Sequence, residues 1–102
     1  MAELRHAASR CENHVMLTVE GEIDISNARA MRALLLQTLE QAEQLTLDLR
    51  AVASMDSSGI ATLIEARAKA RECGKSFQVT GVSERVRMAL KLLCIEQTLM
   101  GG

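Results

Sequence analysis

The amino-acid sequence predicts a single α/β domain over residues 1–102, a mixed sheet of four to five strands with helices on one face. Three observations carry this expectation. Short runs alternate apolar with polar residues, longer runs repeat apolar residues at helical spacing, and from the first helix onward the two kinds of run take turns. Such turn-taking implies right-handed crossovers onto a partly parallel sheet. Because the strand runs alternate instead of being apolar throughout, helices are expected on one face and water on the other. At 102 residues, two independent cores would each be marginal, so one domain is expected.

The opening Glu3–Cys11 is weakly patterned, but Val15, Leu17 and Val19 alternate with Met16, Thr18 and Glu20 as in a half-buried strand. Glu12-Asn13 can turn a hairpin between the two. From Asn27 to Ala42, Met31, Leu34, Leu35, Leu39 and Ala42 mark a first helix, with Asp24 or Ser26 available to cap it. Leu45, Leu47 and Leu49 form the next strand, and Ala51–Asp56 is expected to be loop. A second helix spans about Ser57–Cys73, with Ile60, Leu63, Ile64 and Ala68 on its apolar face, a Glu65–Lys69 pair along it and Gly74 as its left-handed stop. Phe77 and Val79 mark another strand. Val86, Ala89, Leu90 and Leu93 mark a third helix from about Ser83, leaving room for a short strand at Gln97–Leu99. Met31 and Met88 are expected to fill the core, and Leu36 to lie exposed off the apolar stripe.

Composition excludes several functions. Hydrophobic residues make up 48 % and charged residues 25 %, as in a globular chain, and the net charge of −1 gives no basic field for nucleic acid or an anionic membrane surface. Phe77 is the single aromatic residue, so base-stacking platforms are missing. No run approaches the ~20 apolar residues of a membrane span, and the start lacks a signal-peptide core, so a cytoplasmic location without membrane insertion is expected. Cys11, Cys73 and Cys94 are far apart and read as reduced thiols, some of them in the core. His6 and His14 fit no metal or triad pattern, so neither catalytic residues nor metal ligands are expected. Arg67, Lys69, Arg71, Lys75, Arg85, Arg87 and Lys91 concentrate positive charge late in the chain, read mainly as solvated helix faces.

Met55-Asp56-Ser57-Ser58-Gly59-Ile60 is the most informative stretch, placing two hydroxyls and a glycine where a loop becomes a helix. Asp56 or Ser57 can cap the free first-turn amides, and Gly59 can let the backbone pass close to a neighbour. Ser58 sits where helix amides and dipole favour an added phosphate. Ser57 capping and Ser58 modification can coexist. A nucleophile elbow, a Walker loop and a dinucleotide fingerprint are all missing, so the chain reads as a recipient of phosphate, with no cofactor and no enzymatic activity of its own.

Taken together, Gly21-Glu22-Ile23-Asp24, Leu47-Asp48-Leu49 leading into Met55–Ile60, and Val79-Thr80-Gly81-Val82-Ser83 resemble the STAS domain. That family includes bacterial anti-sigma factor antagonists and the cytoplasmic tails of sulfate transporters. In the antagonist branch, the serine before the glycine is phosphorylated by a partner that is both anti-sigma factor and serine kinase. The resemblance therefore implies phosphorylation of Ser58 and a partner-binding surface of Asp24, Asp56, Ser57, Ser58 and Gly59, with a phosphatase to reset it. Only Cys94–Gly102 follows the third helix, short of the terminal helix in longer antagonists. This length also resembles the small STAS subunits that dock on the ATPase of phospholipid-transport ABC complexes.

Overall fold

The computed structural model describes residues 4–92, in the order β1 (Arg5–Cys11), β2 (His14–Ile23), α1 (Ala28–Gln41), β3 (Gln44–Asp48), β4 (Val52–Met55), α2 (Ser57–Glu72), β5 (Ser76–Thr80) and α3 (Glu84–Leu92). Among the described residues the sheet has five strands. β1 pairs antiparallel with β2 through a hairpin turn in which Glu12 takes a positive φ of 55°. β2 pairs in parallel with β3 along its first half and with β4 at its end, and β5 lies parallel to β3 on the far side.

β4 corrects the expected loop at Ala51–Asp56. It continues the line of β3 after a short break, in which Val52 N–H donates to Leu49 C=O at 3.0 Å and Gly21 N–H to Ala51 C=O at 3.1 Å. Opposite that break β2 is irregular between Gly21 and Glu22, with Gly21 at φ 106°. The strand is four residues long and its burial does not alternate, which left no period for the sequence to display.

Val15, Leu17 and Val19 of β2, Leu45 and Leu47 of β3 and Val79 of β5 point to one side. There they join Met31, Leu35 and Leu39 of α1, Ile60 and Leu63 of α2, and Val86 and Leu90 of α3 in one core. The opposite face carries Met16, Thr18, Thr46 and Gln78, half-buried or exposed, as the alternation required.

Several helix details differ from expectation. The buried face of α2 is Gly59, Ile60, Thr62, Leu63, Ala66 and Ala70, and Ile64 and Ala68 are exposed. α1 packs alongside α2. Glu65 pairs across that contact with Arg32 of α1 at 2.5 Å, and no ion pair joins it to Lys69 among the described residues. Met88 is exposed, Leu36 is half-buried, and Cys11 and Cys73 are exposed. Gly74, at φ 69°, ends α2 as expected. Cys94, Leu93 and the expected strand at Gln97–Leu99 lie outside the described residues.

Candidate functional site

Parallel pairing of β2 with β4 matches Ile23 to Met55, so the residues that follow, Asp24 and Asp56, leave the sheet side by side. Asp56 N–H still donates to Ile23 C=O at 3.1 Å, which ties the two exits together.

Asp56 is the N-cap of α2. Its Oδ1 accepts the amides of Ser58 at 3.0 Å and Gly59 at 3.2 Å, and the Ser58 hydroxyl donates to the same oxygen at 2.5 Å. The cap therefore belongs to Asp56 and not to Ser57, whose side chain is exposed at the first position of the helix. The Ser58 hydroxyl bond, with smaller help from the amides of Gly59, Ser58 and Ile25, holds the Asp56 carboxyl below the usual carboxylate range despite some desolvation. Ser58 is half-buried and its hydroxyl bond lies at the exposed surface, open to an incoming group.

This geometry changes one part of the expected chemistry. Two amides that would welcome an added phosphate at the start of α2 are already engaged by Asp56. An anion on Ser58 would have to displace that carboxylate or stand beside it.

Gly59 is fixed by packing. A Cβ there would come within 2.6 Å of Met55 Cγ and 2.7 Å of Ile23 Cγ2, so the first turn of α2 lies directly on the ends of β4 and β2. Only a residue without a side chain permits this approach.

Asp24 stands in a second, similar cradle that sequence reasoning did not resolve. Its Oδ1 accepts the Ser26 amide at 2.8 Å and the Ser26 hydroxyl at 2.5 Å. The Ser26 hydroxyl and then the Ser26 amide lower the Asp24 carboxyl, opposed by desolvation and the neighbouring Asp56 charge. Neither Asp24 nor Ser26 caps α1: the N-cap is Asn27, without a side-chain cap bond. The buried Asn27 instead braces the loop, accepting Asp24 N–H at 3.0 Å and donating to Glu22 C=O at 2.8 Å. The signal that could have revealed this pairing is the repeat of Asp-x-Ser at both strand exits.

Asp24, Asp56, Ser57, Ser58 and Gly59 thus cluster at the adjoining exits of two parallel strands, with Ser57 and Asp56 exposed and Gly59 buried beneath. Among the described residues no group of three or more histidine, cysteine, aspartate or glutamate side chains could hold a metal ion. No helix there is long and apolar enough to cross a membrane.

The fold and these strand-exit motifs define a STAS domain. The family model described as Mlab, STAS domain matches residues 6–101, and the chain belongs to that family. It is 31 % identical over 75 residues to the anti-sigma-B factor antagonist of Bacillus subtilis (strain 168), covering 74 % of this chain and 69 % of the relative. An anti-sigma factor antagonist from Mycobacterium paratuberculosis shares the fold with a TM-score of 0.84 at 21 % identity, over 95 % of this chain and 83 % of the other. The anti-sigma factor antagonist SpoIIAA in its unphosphorylated form does so with a TM-score of 0.79 at 15 % identity, over 94 % and 85 %.

Proposed function

We propose that this chain is an anti-sigma factor antagonist of the cytoplasm, a binding protein and not an enzyme. It binds an anti-sigma factor that is also a serine kinase, and phosphorylation of Ser58 ends that binding until a phosphatase removes the group. The observation that carries the reading is the Ser58 hydroxyl, held at the surface by Asp56 at the head of α2. The likeness to the anti-sigma-B factor antagonist supports it.

The switch follows from charge. A phosphoserine adds about 1.5 to 2 negative charges at neutral pH. On Ser58 it loses the hydroxyl proton shared with Asp56 and meets that carboxylate, with Asp24 close by, over amides already taken. Repulsion and desolvation then oppose docking. The favourable helix-dipole term, about 0.3–1 kcal/mol, is small. The effect falls on affinity, and the core beneath, which includes Ile23, Met55 and Ile60, stays packed.

Incubation with ATP and a candidate serine kinase, followed by intact-mass measurement, tests this. One phosphate is expected on the native chain and none on Ser58→Ala, which still binds the kinase, whereas Ser58→Glu binds it weakly. Undiminished modification of Ser58→Ala would contradict the assignment.

A second reading keeps the same surface. The matching family model is described as Mlab, STAS domain, which supports as the second reading an accessory subunit docked on the ATPase of a phospholipid-transport ABC complex. In that case the native chain takes no phosphate from any such kinase.

A further inference from the structure

Next to Asp24 stands a side chain that the switch chemistry does not use. Ile25 is 83 % exposed, matched among the large apolar side chains of the described residues only by Leu92. A single exposed aliphatic residue on a loose loop would call for no explanation. This loop is braced on every side. Asp24 N–H is bound by Asn27, Asn27 is bound to Glu22, and Ser26 is bound twice to Asp24. These bonds hold the turn on either side of Ile25 while its side chain stands in water, which lowers the ordering cost to a partner that covers it.

The charges around it complement this arrangement. Asp24 and Asp56 repel each other across the two strand exits. A cation placed between them relieves that repulsion, and it does so most strongly where Ile25 has excluded water. We infer that Ile25 is the apolar anchor of the docking surface, and that the kinase partner meets it with a shallow apolar pocket rimmed by an arginine or lysine for Asp24 and Asp56.

This inference rests on the reading of the Ser58 surface given above and adds a link to it. Asp56 holds the Ser58 hydroxyl with Oδ1, and its own amide donates to Ile23 C=O two residues before the anchor, so the modified residue and the anchor stand on adjoining strand exits. A phosphoryl group on Ser58 therefore adds its charge beside the anchor.

The test uses the full chain and, as probes, the purified anti-sigma serine kinases encoded in the source genome, each loaded with ADP and titrated calorimetrically. Ile25→Ala is expected to weaken binding by about tenfold or more and Ile25→Asp by about a hundredfold, with Ile25→Leu within about threefold of native. Leu92→Ala, equally exposed on α3, serves as the control and stays within about threefold. All four variants should melt with the native chain, since both positions are exposed. Native-like binding by Ile25→Ala and Ile25→Asp, in a chain still phosphorylated at Ser58, overturns the anchor and leaves the switch standing. Equal losses in Ile25→Ala and Leu92→Ala overturn it as well. If no kinase binds or modifies the native chain, the underlying reading fails and the anchor falls with it.

Discussion

The loops that follow β2 and β4 are built on one device and put it to different uses. In each, an aspartate at the strand exit accepts both the amide and the hydroxyl of the serine two residues on, with hydroxyl bonds of 2.5 Å in both. After Asp56 the helix begins at once, and Gly59 presses its first turn onto Met55 and Ile23. After Asp24 the chain makes a separate turn, in which Asp24 C=O accepts the amides of Asn27 and Ala28, and α1 starts beyond it without a side-chain cap. Ser58 is therefore part of a helix end seated on the core, whereas Ser26 belongs to a turn braced by Asn27. The Asp-x-Ser motif is the same in both loops; what the next residue packs against distinguishes them.

The largest expected effect tests that packing. Gly59→Ala forces Cβ onto the β-branched Ile23 and onto Met55, and should lower unfolding free energy by about 2–3 kcal/mol in urea titrations. A loss below about 0.5 kcal/mol would show that α2 can slide and that its seat is not fixed. The counterpart in the other loop is Asn27→Ala, which strands Asp24 N–H and Glu22 C=O and should cost about 1–2 kcal/mol by the same measurement.

Carboxyl titration by NMR sharpens the comparison at smaller amplitude. Both aspartates titrate below the ordinary value, each chiefly because of its own serine hydroxyl. Ser58→Ala should raise the Asp56 pKa and leave Asp24 nearly unmoved, and Ser26→Ala should do the reverse. Since both folded-state values lie below the unfolded ones, near 4, the stability these carboxylates contribute is complete above that pH. It is lost as the pH falls further through the folded values. Stability near neutrality should therefore not respond to either group. A shift of both aspartates in either variant would mean that the loops act as one unit.

The sequence made the frame legible and the second cradle illegible for the same physical reason. Periodicity reports burial on one face, so β2, with Val15, Leu17 and Val19 inward, could be read directly, as could the stripe of Met31, Leu35 and Leu39 in α1. β4 could not, because four residues entered from a broken strand carry no period. The face of α2 departs from expectation because the small Ala66 and Ala70 are buried while the larger Ile64 stays in water, so side-chain size does not report burial there. Met88 erred in the same direction. Asp56, Ser58 and Gly59 are legible as candidates because strand exit, cap and glycine are contiguous. The tie from Asp56 N–H to Ile23 C=O depends on two strands lying side by side, which no local pattern encodes.

The most direct measurement pits the twin serines against each other in one molecule. The native chain, phosphorylated by its kinase with ATP, is digested and the modified residue located by fragmentation mass spectrometry. The account predicts phosphate on Ser58 and none on Ser26 or Ser57. Phosphate on Ser26 or Ser57 with Ser58 unmodified would contradict it.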